Sequence, residues 1–480
     1  MATHRASKLI FGTPVAGSLG FYVYVLLPCA SPPSNHSYSH CCPTNPIEKT
    51  TTPPPLSPTT YTSHYTHRPF TTLTRLSTVL TSLVPLLLSP SPTSVKNRLT
   101  TLGPAWIKLG QQLSIRPDLL PPSYITSLTS LCDSVPPFPI SYANQVVDEK
   151  EELNNLGEIT YEAGASLGCV YSAVWKGKKV AVKVQRPGIF ENVTLDFHVL
   201  KILAHLHDIL IPSITHQKPY MLKMVNDFTL SSIKELDYIN ESENQTYFRN
   251  TLNHFPIKIP EIYYASEKIL VSEWIEGRNL TELNEKEIQE LIPLGVEVFL
   301  FMLLNCSKFH ADPHPGNLLK TRTGELAILD FGLVASLQPH ERENLKSAVE
   351  HLLRGRYDLL VNEDSVKLGF LTPEADMKTI EPLITHLLTS GLLLQASQRR
   401  SNFKNISSSL NEIFFDHPFT VPPFFALVTR GVAVLEGVAL KGDMEFDIWK
   451  EAERHVVRRV KGKVGGWFGG WFKRSNTTQE

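Results

Sequence analysis

The stretch Phe309-His310-Ala311-Asp312-Pro313-His314-Pro315-Gly316-Asn317-Leu318-Leu319, followed by Asp330-Phe331-Gly332, decides the fold. His310, Asp312 and Asn317 fall on the spacing H-x-D-x-x-x-x-N, and Asp330 opens a D-F-G. Phosphoryl chemistry needs one carboxylate beside the attacking oxygen, plus an Asn and an Asp that hold a divalent metal against phosphates. Asp312 suits the first role, and Asn317 with Asp330 the second. A run of polar residues that merely turned a surface loop would have no reason to carry both motifs in this order. Ala311 stands where such a loop usually has Arg, so the loop has no side chain there to clamp a phosphorylated segment.

Upstream lie the parts that would hold ATP or ADP. Val180-Ala181-Val182-Lys183 reads as an apolar strand ending in the lysine that pairs with α/β phosphates in protein kinases. Before it comes Ala163-Gly164-Ala165-Ser166-Leu167-Gly168-Cys169-Val170. Aligned on Gly168 and Val170, this is A-x-A-x-x-G-x-V where a protein kinase has G-x-G-x-x-G-x-V. Ala163 and Ala165 carry Cβ atoms that restrict positive φ and close backbone approach to phosphate. Ile269 to Ile275 reads as a strand entering a hinge, where backbone groups of Glu273 and Ile275 would meet an adenine edge.

Together with these motifs, several others resemble the UbiB family of aarF-domain, atypical kinase-like proteins, nearest to its cyanobacterial and plastid branch. Lys108-Leu109-Gly110-Gln111 matches its K-x-G-Q, Val180 to Gly188 its V-A-x-K-V-Q-R-P-G, and Glu235-Leu236-Asp237 its E-x-D. Ser114 to Leu120 and Val135 to Pro139 extend the likeness, which covers roughly residues 97–445. Cys169, Ser242 and Gly164 depart from the family pattern locally. The resemblance implies an α+β, two-lobed protein kinase-like fold with an N-terminal helical extension over the small lobe. It implies that Glu241 pairs with Lys183, and that Glu235 faces Lys108. The extension, with Lys108 and Gln111, would then form a lid where a protein kinase takes its peptide. Without the resemblance, the carboxylates of 235–241 would read as a solvated helix face.

The same resemblance implies ATP and Mg2+ as cofactors. The activity it implies is that of an ATPase or a small-molecule or lipid kinase in prenylquinone metabolism at an organelle membrane. Lipid or prenylquinone precursors and a quinone-biosynthesis complex would be its partners. A catalytically weak nucleotide-binding scaffold and an atypical protein kinase are the alternatives. No A-P-E follows Asp330: Leu333 to Leu337 run straight into a charged helix near His340, so a peptide-docking shelf is missing.

At 480 residues the chain is long enough for a two-lobed domain with extensions. With 46 Lys and Arg against 47 Asp and Glu, nothing in the overall charge suggests a nucleic-acid partner. The six cysteines form no C-x-x-C with a histidine partner, so neither zinc nor a disulfide framework is expected. Cys306 reads as a buried helix residue. Glu48 is the only acidic residue before Asp118, and Ser, Thr and Pro dominate there, as in organelle transit peptides. Residues 1–90 are expected to be a targeting region outside the fold, for a plastid or alternatively a mitochondrion. The remaining divisions read as a helical extension over 97–158, a small lobe over 159–280, a large lobe over 281–445, and a basic aromatic tail over 446–480. In that tail Arg454, Arg458, Arg459, Lys461 and Lys463 precede Trp467, Phe468, Trp471 and Phe472, a composition suited to an anionic membrane surface.

Overall fold

The computed structural model describes residues 58–88, 91–114, 120–132, 137–164, 167–215, 221–373, 375–388 and 422–443, with 445, 446, 448 and 451 beyond them. Residues 1–57 and nearly all of the basic aromatic tail lie outside the described residues. The chain divides into two compact units: Met1–Ser242 with Ile262–Trp274, and Glu243–Glu261 with Ile275–Glu480.

The helices of the first unit are α1 (Pro58–Thr66), α2 (Pro69–Leu83), α3 (Pro92–Leu102), α4 (Pro104–Leu113), α5 (Pro122–Thr129), α6 (Ile140–Asp148), α7 (Ile189–Thr215) and α8 (Met221–Glu235). Helix α9 (Tyr238–Thr251) starts in the first unit and ends in the second. Five of these helices, α1 to α5, carry proline in the first turn, where a missing N–H costs nothing. Gly103, at φ 109°, makes the sharp join between α3 and α4 that a Cβ would strain.

In chain order the strands are β1 (Thr160–Gly164), β2 (Gly168–Trp175), β3 (Lys178–Gln185), β4 (Ile257–Lys258), β5 (Ile262–Ala265), β6 (Ile269–Glu273), β7 (Gly277–Asn279), β8 (Lys308–His310), β9 (Leu318–Thr321), β10 (Leu326–Ile328) and β11 (Val334–Ser336). The first unit holds an antiparallel sheet in the order β1-β2-β3-β6-β5. Period-two alternation on β3 buries Val180, Val182 and Val184 completely, against Tyr171, Ile269, Val271 and the apolar side of α6. Lys183 is one residue out of phase and leaves the strand on the opposite face.

Residues 58–88 correct the reading that the first ninety residues stand outside the fold. Tyr61, Tyr65 and Val79 are buried in one core with Trp106, Phe197 and Phe228. Arg75 grips the buried Asp196 of α7 with two bonds, Nε to Oδ1 at 2.6 Å and Nη2 to Oδ2 at 2.8 Å. Its Nη2 also donates to the Leu102 carbonyl, tying α2 to α3. Most of the Thr and Ser that imitate a transit peptide here lie away from that core, which Tyr61, Tyr65 and Val79 reach while Phe70 and Leu73 stay exposed.

The second unit is built on α10 (Glu285–Asn305), whose start is closed by a capping box between Asn284 and Glu287. Around it lie a sheet in the order β4-β10-β9-β7, the ribbon β8-β11, and helices α11 (Pro339–Leu353), α12 (Met377–Leu387) and α13 (Pro423–Gly442). Residues 243–261 join this unit because Phe248 and Leu252 of α9 are buried in its core, so the division does not fall at a single point near 280. Cys306 is buried but caps α10 in extended conformation, one residue past the helix.

Candidate functional site

In the first unit, Lys183 and Glu241 are brought together. Lys183 Nζ donates to both Glu241 oxygens, at 2.7 and 2.8 Å. The strand carrying the lysine is pinned between β2 and β6, and the glutamate sits in the first turn of α9. Glu241 is almost wholly enclosed at 3% side-chain exposure, and Lys183 retains 17%. The ammonium also lies 5.1 Å from the centre of the Tyr238 ring, an aromatic face that favours a cation.

Beside it runs the β1–β2 hairpin, in which Gly164 pairs with Cys169 and Ala163 with Val170. Ala163 is exposed with an ordinary φ, and Ala165 and Ser166 lie outside the described residues. Gly168 is required for a reason that phosphate contact does not supply. A Cβ there would stand 2.3 Å from the Tyr238 hydroxyl and 2.5 Å from the Val184 carbonyl. Cys169, in the same hairpin, is a fully buried free thiol. Glu273 ends β6 opposite Val180 of β3, whereas Ile275 belongs to the second unit.

A second lysine–glutamate pair joins α4 to α8. Lys108 Nζ donates to Glu235 Oε2, with side-chain exposures of 10% and 13%. Gln111, one turn on, donates instead to the Leu131 carbonyl at 3.2 Å, which braces α4 against the turn that follows α5. Gly110 between them is packed on Leu131 and Leu99 so closely that a Cβ would meet both.

The second unit carries the other set. His310 ends β8, with its ring against Phe331, which in turn stacks on Phe248. The Asp312 backbone N–H donates to His310 Nδ1 at 3.1 Å, so Nδ1 is an acceptor and the ring proton resides on Nε2. That Nε2–H meets the Asp330 carbonyl at 2.6 Å. One neutral imidazole thereby joins the two motifs. Burial pushes His310 below its ordinary pKa, and the attraction of Asp312 and Asp330 only opposes this.

Pairing of β9 with β10 places the Asn317 carbonyl as acceptor for the Leu329 N–H at 3.0 Å, next to Asp330. Asp330 Oδ1 accepts the Gly332 N–H at 2.8 Å, which orients the carboxylate. The Asp330 carboxylate and the Asn317 carboxamide are hard-oxygen groups of the kind that could hold magnesium. Asn244, one turn after Glu241, accepts from Lys308 at 2.8 Å and donates to the Phe331 carbonyl. The motifs gave no sign of Arg430 on α13, which binds Asp312 Oδ2 through Nη2 at 2.9 Å. Nothing near Asp312 in the sequence announces it.

These sets are the parts of a kinase-like fold, and comparison with known proteins supplies the class. The ABC1 atypical kinase-like domain family matches residues 130–363. An uncharacterized protein of Synechocystis is 35% identical over 82% of this chain and 62% of its own length. The protein Activity of BC1 Complex Kinase 3, chloroplastic, of Arabidopsis thaliana is 36% identical over 75% of this chain and 52% of its length. The chain thus belongs to the ABC1/aarF atypical kinase-like proteins of the UbiB family, in their cyanobacterial and plastid branch. It spans between about half and two thirds of the length of these curated relatives. The solved Rv3197–erythromycin complex of Mycobacterium tuberculosis shares the fold, with TM-score 0.52 over 72% of this chain and 91% of that chain, at 24% identity.

Proposed function

We propose that this protein is an ATP-dependent atypical kinase or ATPase acting on, or gated by, a lipid. Lys183, held by Glu241, would meet the nucleotide phosphates, and Asp330 with Asn317 would hold magnesium. The observation that carries this reading is the two-bond grip of Glu241 on Lys183, because a buried charge pair of this kind is costly unless something uses it. Bound magnesium would neutralise charge on the transferring phosphoryl group. Asp312 would take the proton of the attacking hydroxyl or water. A lipid in place of a peptide is favoured by the chain's passage from β11 directly into α11, with no long segment between them.

Prenylquinone metabolism at a plastid membrane is the setting we infer. Its support is the branch of the family and the word chloroplastic in the names of several plant relatives. Among the described residues no helix is long and apolar enough to cross a membrane. A nucleotide-binding scaffold is the second reading, favoured by Ala163 where a phosphate loop would have glycine. Steady-state ATP turnover separates the two. Turnover that requires magnesium and disappears in Asp330→Asn and Asp312→Asn is expected of the enzyme. Nucleotide binding without turnover in the parent protein would leave the scaffold.

A further inference from the structure

We propose that Arg430 is a positioning residue for Asp312, doing from α13 what an arginine and a phosphorylated segment do together in regulated kinases. This rests on the catalytic reading of Asp312 given above. Ala311 is fully buried, and its N–H donates to the Leu333 carbonyl at 3.0 Å. The ribbon β8-β11 therefore joins the residues after Asp330-Phe331-Gly332 to the catalytic loop at once. His310 fixes the backbone of Asp312 but not its carboxylate. The carboxylate is held by Arg430, itself only 9% exposed, in an ion pair of Nη2 with Oδ2 at 2.9 Å. Oδ1 is buried and without a partner among the described residues.

The arginine comes from a fixed place. At the next residue, Gly431, a Cβ would stand 2.6 Å from the Phe299 ring, so α13 is packed tightly on α10 where Arg430 leaves the helix. Val428, Leu435 and Val438 share a core with Phe309 and Phe331, and Gln289 donates to the Gly442 carbonyl at 2.7 Å. With Oδ2 paired to the guanidinium the carboxylate is oriented, and this carboxylate takes the acceptor's proton. The acceptor oxygen forms its bond to the γ-phosphorus, the bond to the β-phosphate oxygen breaks, and ADP leaves with that electron pair. The order of the loop then owes nothing to phosphorylation.

Full-length Arg430→Met and Arg430→Lys proteins test this by ATP kinetics, thermal stabilisation by magnesium and ATP, and hydrogen exchange of residues 308–317. Arg430→Met is expected to lose roughly a hundredfold in kcat, the scale of a misplaced catalytic group. KM for ATP and stabilisation by nucleotide stay near the parent values, and exchange over 308–317 rises. Arg430→Lys, which keeps a cation, regains part of kcat. Phosphatase treatment of the parent leaves its turnover unchanged. An unchanged kcat in Arg430→Met, a kcat that falls only in step with nucleotide binding, or turnover lost to phosphatase would each overturn the proposal. If the parent turns over no ATP, the catalytic reading fails by itself. Exchange then decides for Arg430, and identical exchange over 308–317 in parent and Arg430→Met rejects the positioning role.

Discussion

The first unit contains two enclosed lysine–glutamate pairs of the same chemistry in different structural frames. Lys183 stands on the middle strand of a sheet and meets Glu241 in a first helical turn, 58 residues on. Lys108 stands on a helix and meets the last residue of another, 127 residues on. The first pair has a rigid frame and a lysine that keeps 17% side-chain exposure. The second joins two helices whose neighbours, Gln111 and Gly110, are taken up by packing. Identical ionic groups therefore acquire their roles from the elements that carry them.

Breaking the first pair gives the largest expected effect on stability. Lys183→Met leaves the Glu241 carboxylate, 3% exposed, without its cation, at a cost of about 3 kcal/mol. Glu241→Gln leaves a lysine that retains contact with water and costs less. Urea unfolding of both variants checks this order, and the reverse order would deny that Glu241 is the more enclosed partner.

The setting of that lysine is sharpened by Gly168→Ala. The added methyl must displace Tyr238 or the backbone at Val184, for about 2 kcal/mol. Because the Tyr238 ring lies beside Lys183, affinity for ATP is expected to fall with stability. A variant as stable as the parent would show that the hairpin can move aside.

The second pair breaks more gently. Lys108→Ala is expected to cost about 1–2 kcal/mol, since both partners keep some water. Hydrogen exchange across 104–113 is expected to rise, and mass spectrometry reads any new autophosphorylation. Parent-like exchange and products would reduce this segment to a brace.

The smallest effect comes from pH and contrasts these charged pairs with a neutral tether. His310 has a folded pKa below its unfolded value near 6.5, so the unfolded chain takes up a proton that the folded one refuses. Its contribution is complete above pH 6.5 and is lost as pH falls toward the folded pKa, at no more than about 1.4 kcal/mol per pH unit. Unfolding curves between pH 7.5 and about 5.5 measure this, and His310→Gln is expected to flatten the slope.

Much of the site was legible because short motifs at fixed spacing encode backbone geometry. Val180 to Lys183 alternates as a strand must, and His310, Asp312, Asn317 and Asp330 sit on one loop and the strands it joins. The partners of Lys183 and Lys108 were legible only through family resemblance, since periodicity cannot tell a solvated acidic face from a paired one. Arg430 was not legible at all. It lies on a helix remote in sequence, and only the packing of α13 on α10 brings it to Asp312. Residues 58–88 misled because their composition is polar, whereas burial of Tyr61, Tyr65 and Val79 depends on spacing. Gly168 was read as part of a phosphate cradle, and its close neighbours Tyr238 and Val184 give it a packing reason the sequence did not show.

Magnesium-dependent nucleotide binding tests the central claim most directly. Thermal unfolding of the parent and Asp330→Asn would be followed with ATP alone, with magnesium alone, and with both. A ligand raises the melting temperature only of a protein whose folded state binds it. The parent should be stabilised by ATP with magnesium well beyond either alone, and Asp330→Asn should lose that increment while keeping its own melting temperature near the parent's. Equal stabilisation of both proteins by magnesium and ATP would contradict the assignment of Asp330 to the metal.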